Sequence, residues 1–221
     1  MAKPRFTPLQ LLVHLAGWIP LVVLLFDLFR DNLTANPIQA IEQRTGYTAL
    51  VFLALSLACT PLAFLGWKEL TQRRKALGNY GFLYAAIHVT VFVAVDYGLN
   101  LEAILRDVGT KQYILIGATA FLLLVPLAAT SFNYWMKRLG KNWKRLHRLV
   151  YLSWPLVVLH FFMARKGNIL NLTGDVFEPL LFAVIISLLL LLRLAPVKRA
   201  WTRLRTRLLS PAKEASSSLN Q

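Results

Sequence analysis

The sequence predicts an all-α integral membrane protein, a six-transmembrane-helix bundle with both termini in the cytoplasm. Of its 221 residues, 57% are hydrophobic and 16% are charged, whereas soluble domains average about 45–50% and about 25%. The 25 Lys and Arg residues outnumber the 10 Asp and Glu residues, which gives a net charge of +15. Because this charge lies on an apolar background, it excludes most nucleic-acid-binding proteins and is typical of basic cytoplasmic loops.

Six apolar stretches could cross a hydrocarbon core of about 30 Å, for which a helix needs about 20 residues. The fifth stretch is short, so a five-span chain remains an alternative. The first has an apolar run of about 20 residues and no small-residue cleavage site, which favours a membrane helix over a signal peptide. The predicted spans are Leu9–Phe29, Gly46–Gly66, Tyr80–Leu99, Tyr113–Phe132, Leu149–Ala164 and Phe177–Leu194.

The basic residues predict the orientation of these spans. Nineteen of the Lys and Arg residues fall at the two termini and in the second and fourth loops, and six fall in the other three loops. Cytoplasmic loops carry the excess of Lys and Arg, so both termini are expected in the cytoplasm. Residues 1–208 then form one membrane domain, and residues 209–221 are expected to be a disordered cytoplasmic tail. No phosphate-binding glycine motif is present, and the single Cys59 excludes an intramolecular disulfide.

The four histidines are the candidate functional residues. At about 1.5 Å per residue, His147 lies at the cytoplasmic boundary, His14 about 9 Å deep, His88 about 12 Å deep and His160 about 18 Å deep. A buried imidazole needs partners for its ring nitrogens, and a structural hydrogen bond, a proton relay or a metal site would each supply them. Zinc would need more anionic ligands. A proton relay would usually use carboxylates inside the membrane, and those of this chain lie near the outer ends of the spans.

Heme b is the favoured chemical interpretation, because it needs two axial imidazoles, an apolar slot and cations for its propionates. Gly81 and Ala85 are expected to leave room for the ring beside His88. His147 and His160 are about 20 Å apart along one helix, so they cannot ligate the same heme. Either there are two sites or one of these histidines is structural.

Two of the predicted spans share a short sequence. Thr60–Ala63 ends the second span with Pro-Leu-Ala, and Val125–Ala128 repeats these residues near the end of the fourth span. Each precedes a basic loop and a span that carries a histidine. A duplicated helical hairpin and a coincidence of three residues both explain this shared sequence.

The chain also resembles a known family. Its run Leu139–Leu152 reads L-G-K-N-W-K-R-L-H-R-L-V-Y-L and is similar to the L-G-K-x-W-x-x-L-H-x-x-V-Y-L signature of the MsrQ family. These are the heme-binding membrane subunits of bacterial MsrPQ protein-methionine-sulfoxide reductase systems, in the wider ferric-reductase-like transmembrane group. Further matches are His14–Gly17 with Pro20, Asn36–Pro37 before Thr45–Gly46, Thr60–Leu62, Arg74–Gly78, Leu83–Thr90 and Ala129–Ser131.

The resemblance implies a non-catalytic cytochrome b subunit of the bacterial inner membrane. Such a subunit passes electrons from membrane quinol through one or two b hemes to a periplasmic molybdopterin-containing reductase of the MsrP type, which repairs oxidised periplasmic proteins. It carries the heme-ligand role over to His88, His147 and His160, and it implies FMN, for which no residues can be assigned.

Further roles are suggested by position. His14 is a candidate additional ligand, and Arg145 and Arg148 are candidate propionate partners. The basic loop that contains them could instead dock a cytoplasmic flavin reductase. The alternatives are another ferric-reductase-like protein served by such a reductase, and a heme-free transporter or assembly factor whose histidines are structural.

Overall fold

The computed structural model describes residues 7–165, 175–197, 199–200 and 203, and all the regular structure in this part of the chain is helical. The predicted tail at 209–221 and the loop residues 166–174 lie outside the described residues. The helices are α1 (Pro8–Phe29), α2 (Pro37–Phe64), α3 (Leu70–Thr90, continued by a π-helical turn over Val91–Asp96), α4 (Leu101–Thr110), α5 (Gln112–Ala129), α6 (Asn133–Leu139), α7 (Lys141–Leu146), a 3₁₀ turn (His147–Leu149), α8 (Val150–Ala164) and α9 (Phe177–Leu191).

The helix starts follow from local chemistry. Thr7, Asn36 and Asn100 accept hydrogen bonds from backbone N–H groups three residues later, which satisfies donors that have no partner inside the helix. Pro8 and Pro37 occupy the first position of α1 and α2, where the missing N–H costs nothing.

Within the described residues, five helical segments are long and apolar enough to cross a membrane: Pro8–Phe29, Pro37–Phe64, Leu70–Asp96, Gln112–Ala129 and Lys141–Ala164. The fifth predicted span is therefore not the short one, because the basic loop before it is itself helical and nearly continuous with α8. The sixth stretch forms an apolar helix of 15 residues, Phe177–Leu191, which is shorter than the about 20 residues that a span needs. Six spans and cytoplasmic termini remain predictions.

The bundle is built on two long helix pairs. α2 packs along α3, and α5 packs along α8. α1 joins the first pair through a buried cluster that includes Val13, Phe52, Tyr80 and Tyr84. α9 closes the space between the pairs through a second cluster that contains Leu57, Trp154 and Ile186. Many large apolar side chains of α1 point outward, with Leu12 and Val22 each more than half exposed, as lipid-facing residues are.

α1 is held to α3 by an unusual contact. The hydroxyl of Tyr84 donates to the carbonyl of Gly17 at 2.8 Å and accepts from the backbone N–H of Leu21 at 3.0 Å. These two backbone groups would bond each other in a regular helix, so the hydroxyl is inserted into the hydrogen-bond ladder beside Pro20. Gly17 permits this approach, because a Cβ atom there would lie 2.4 Å from the ring of Tyr80.

The loop between the third and fourth predicted spans contains a short helix. α4 has an apolar ridge that includes Leu101 and Leu105, which are 65% and 62% exposed. Its Asp107 accepts from the hydroxyl of Tyr97 at 2.5 Å and pairs with Lys111 at 2.6 Å. These two contacts lower the pKa of the Asp107 carboxyl below its usual value, the Lys111 contact most.

Candidate functional site

The two deepest histidines face each other at the centre of the bundle. His88 near the end of α3 and His160 on α8 have ring centroids 6.2 Å apart, with ring planes at 72°. They come from different helix pairs, and they lie 72 positions apart in the chain. The structure therefore brings together the two residues that the sequence placed deepest in the hydrocarbon layer.

Each of the two rings is anchored to a backbone carbonyl. Nδ1 of His88 lies 3.0 Å from the carbonyl oxygen of Glu42, and Nδ1 of His160 lies 2.8 Å from that of Tyr113. A carbonyl oxygen only accepts hydrogen bonds, so both Nδ1 atoms carry the proton and donate. The lone pair of each neutral ring is then on Nε2, which is the arrangement found in metal-ligating histidines.

A glycine lies against each anchored ring. A Cβ atom on Gly46 would lie 3.3 Å from Nδ1 of His88, and a Cβ atom on Gly117 would lie 2.6 Å from Nδ1 of His160. Each glycine is four residues after the residue whose carbonyl accepts the bond. Because glycine has no side chain, each histidine ring can lie against it and donate to a backbone carbonyl of the facing helix. The sequence interpretation missed both glycines.

The separation of the two rings fits a metal ion held between them. Two metal–imidazole bonds of about 2 Å, with about 1 Å from each nitrogen to its ring centre, place the ring centres about 6 Å apart. His88 and His160 lie at this separation, and their anchors leave both Nε2 atoms as ligands. No group of three or more His, Cys, Asp or Glu side chains converges in the described part of the chain, so the donor set here is two imidazoles. Two axial imidazoles are a ligand set that suits a six-coordinate b-type heme.

The space that Gly81 leaves beside His88 is not available to a ring. A Cβ atom on Gly81 would lie 2.7 Å from Cγ of Leu53, so α2 fills that side of α3. The expectation that Gly81 opens the slot was therefore wrong. The physical reason is that a small residue on a helix is as readily used for close helix packing as for cofactor space.

His147 lies in a different setting, in the 3₁₀ turn before α8. Its Nε2 is 3.1 Å from the hydroxyl of Thr130, which itself donates to the carbonyl of Pro126. Its ring stacks on Trp143 at 4.0 Å between centroids, and the indole of Trp143 donates to the carbonyl of Thr130. Since the hydroxyl proton is used by Pro126, Nε2 of His147 is the donor to Thr130 and the lone pair is on Nδ1.

Arg74 lies near His147, and Arg193 lies near Arg74, in addition to the two arginines that the sequence indicated. Arg145 and Arg148 are exposed. Arg193 donates to the carbonyl of Leu57 at 2.5 Å, and its buried Nε has no hydrogen-bond partner among the described residues. No carboxylate of the described residues forms an ion pair with Arg74 or Arg193, so these two arginines could pair with an acidic group of a ligand.

His14 is separate from the other histidines. Its Nδ1 is 2.9 Å from the hydroxyl of Tyr80, and it lines a cleft between α1 and α3. No contact joins His14 to His88, His147 or His160 among the described residues. The structure thus gives three histidine settings: one facing pair, one stacked histidine and one histidine in a cleft.

Known proteins resemble this chain over most of its length. Residues 45–158 match the family model described as "Ferric reductase like transmembrane component". The chain is 38% identical over 194 residues to the "Protein-methionine-sulfoxide reductase heme-binding subunit MsrQ" of Herminiimonas arsenicoxydans, with 87% of each protein covered. It is also 38% identical over 204 residues to the proteins of that name from Brucella ovis and Brucella canis, covering 92% of this chain and 88% of each of them. The family-model match contains His88 and His147 and ends two residues before His160, and the chain belongs to the MsrQ family of ferric-reductase-like membrane proteins.

Proposed function

We propose that this protein is the membrane electron-transfer subunit of a protein-methionine-sulfoxide reductase system and that it binds a b-type heme between His88 and His160. The observation that supports this most strongly is the facing pair. In both rings Nδ1 donates a hydrogen bond to a backbone carbonyl, which leaves the lone pair on Nε2. When bound, the heme supplies a carrier for one electron. The residues of the chain hold its iron, fix the two ring tautomers and keep water out of the bundle.

The acidic propionates of the heme need cations. Arg145 and Arg148 remain candidates from the sequence, and Arg74 with Arg193 are candidates from the structure. Arg193 is favoured by its buried Nε without a partner, because a buried donor without an acceptor is costly. Arg74 lies near His147, and a second b heme at the level of the basic loop would be ligated by His147 through Nδ1, or through Nε2 once its bond to Thr130 is given up. His14 as the additional ligand remains a prediction from the sequence, as does FMN.

The direction of electron flow follows from the predicted orientation. Membrane quinol is the proposed donor, and a periplasmic molybdopterin-containing reductase of the MsrP type is the proposed acceptor, both in the bacterial inner membrane. The described residues contain no domain outside the helices that could hold a second active site, which favours a separate catalytic partner. A cytoplasmic flavin reductase is the alternative donor, and the exposed basic residues of α6 and α7 are the surface it would contact.

This function is tested by reconstituting the purified protein in liposomes with decylubiquinol and the purified periplasmic reductase. We expect reduction of methionine sulfoxide in a protein substrate, and we expect His88→Ala and His160→Ala each to abolish it. Thr119→Ala is the matched control, because its hydroxyl bonds only within α5 and its side chain is exposed. Activity that persists in both histidine variants would contradict the proposal. Activity only with NADH and a flavin reductase would support the alternative donor.

A further inference from the structure

The cleft between α1 and α3 is not used by the heme site, and its lining is unusual for a lipid-facing surface. It has a volume of about 410 Å³ and opens where both helices begin, within the range of about 300–1,000 Å³ typical of small-molecule sites. Its lining combines apolar with polar side chains. The apolar ones include Val13, Ala76 and Leu83, and the polar ones, called the polar rim below, are Gln10, Gln72, Arg73, Lys75 and Asn79.

A polar pair lies in this cleft. Nδ1 of His14 and the hydroxyl of Tyr80 are 2.9 Å apart, and the ring of Tyr80 is fixed by close packing on Gly17 and by an edge contact with Trp18. The imidazole of His14 keeps its second nitrogen for another partner. One donor and one acceptor are thus presented inside an apolar cleft that borders the membrane.

The cleft is also connected to the facing pair by aromatic rings. Tyr80 packs on Phe52 at 5.7 Å, and Phe52 stacks on Tyr84 at 5.8 Å with parallel planes. Tyr84 precedes His88 by one helical turn. Tyr80 and His88 are therefore about 12 Å apart along α3, with buried aromatic side chains between them.

We propose that this cleft binds the headgroup of a membrane quinol, with its hydroxyl groups hydrogen-bonded to His14 and Tyr80. This inference rests on the proposed electron-transfer function and locates its donor site. A quinol suits the cleft because its ring is apolar, its two hydroxyls pair with the polar groups, and its isoprenoid tail can leave toward the lipid between the exposed side chains Leu11 and Leu15. A phospholipid headgroup would use the rim but would leave the His14–Tyr80 pair without a ligand.

Quinol bound in this cleft would be oxidised to quinone. Two O–H bonds of the quinol break, and the product is the quinone. The two electrons that the quinol loses would pass one at a time to heme held by His88 and His160, which the proposed periplasmic reductase would reoxidise between the two steps. The two protons of the quinol leave through His14 and the polar rim to water. His14 and Tyr80 thus act as binding residues for the quinol.

Heme reduction in the holoprotein tests this assignment. We expect Tyr80→Phe and Ala76→Phe each to slow reduction by decylubiquinol about tenfold, the loss expected for one hydrogen bond or for a filled cleft, with unchanged heme content and full reduction by dithionite. Tyr134→Phe is the matched control, because the ring and hydroxyl contacts of this exposed tyrosine are with its neighbours Trp135 and Arg138, neither of which lines the cleft. Unchanged quinol kinetics in both cleft variants would overturn the assignment, and so would heme loss in His14→Gln, which would make His14 a ligand.

A second measurement does not depend on the heme. A photoreactive azidoquinone should label peptides of α1 and α3 in protein from which the heme has been extracted, and Ala76→Phe in the same preparation should remove the label. Labelling elsewhere would overturn the assignment. Labelling in the cleft without any quinol-driven heme reduction would support the site and contradict the donor in the proposed function. Loss of bound phospholipid in Ala76→Phe, with labelling unchanged, would show a lipid site and overturn the proposal.

Discussion

The two long helix pairs build the same histidine anchor from different surroundings. In the pair α2–α3, His88 crosses Gly46 to reach the carbonyl of Glu42, and in the pair α5–α8, His160 crosses Gly117 to reach the carbonyl of Tyr113. The acceptor precedes its histidine by 46 residues in one pair and by 47 in the other. This correspondence supports a duplicated hairpin. Both hairpins keep a glycine and a backbone acceptor, because these two features fix the histidine ring.

The two pairs differ in how closely the anchor is packed and in what supports it. The Cβ position of Gly117 lies 2.6 Å from its histidine, whereas that of Gly46 lies 3.3 Å away. The first pair is supported by α1 through the hydroxyl of Tyr84. The second is supported at its other end by the network of Thr130, Trp143 and His147. The anchor is thus common to both pairs, and the supporting contacts are particular to each.

The largest expected effect comes from Gly117→Ala. The added methyl overlaps the ring of His160 and displaces its Nδ1 from the carbonyl of Tyr113, so we expect most of the bound heme to be lost. Gly46→Ala should cost clearly less, because its methyl needs a shift of only a few tenths of an ångström. Heme per protein, measured by the pyridine hemochrome, gives the comparison.

Gly109→Ala is the matched control for this series, because nothing lies within 4 Å of its Cβ position in α4. Alanine favours a helix over glycine by about 1 kcal/mol, so all three variants gain intrinsic helix stability and a loss of heme must come from the contact. Equal heme in the Gly117 and Gly46 variants would show that the two anchors are not packed differently.

A smaller effect is expected for His147→Ala. If His147 ligates a second heme, the variant should keep the heme of the facing pair and lose the other, which is about half of the total when both sites are filled. Thr130→Val separates ligation from support, since it removes the hydroxyl that holds the ring and leaves the imidazole in place. Heme content identical to that of the unmodified protein in both variants would return His147 to a structural role.

The smallest effect is expected for Tyr84→Phe. The carbonyl of Gly17 and the N–H of Leu21 lose their shared partner, which should lower the stability of the protein by about 1 kcal/mol without changing heme content. Thermal unfolding in detergent measures this, and Tyr134→Phe is again the control. A loss of heme as large as that of Gly117→Ala would mean that α1 supports the anchor itself.

The sequence was sufficient for the features that depend on composition and depth. Apolar runs located the long helices but not the short helices α4, α6 and α7, and a count of residues from the boundary placed His88 and His160 at depths that differ by about 6 Å. The glycines were missed, because which helix faces a given glycine depends on tertiary packing. For the same reason Gly81 was assigned to the slot although Leu53 fills it. The shared Pro-Leu-Ala left a repeat and a coincidence both open, and the residues that the two pairs use in the same way are Gly46 and Gly117, each four residues after the residue whose carbonyl accepts the bond.

The central claim is that one heme is held from both sides by His88 and His160. Electron paramagnetic resonance of the oxidised protein tests it most directly, because two axial imidazoles give low-spin ferric heme and one imidazole gives a high-spin signal. We predict a low-spin signal that disappears in His88→Ala and in His160→Ala, either with loss of the heme or with a high-spin signal from the remaining ligand. A low-spin signal of full intensity in either variant would contradict the claim.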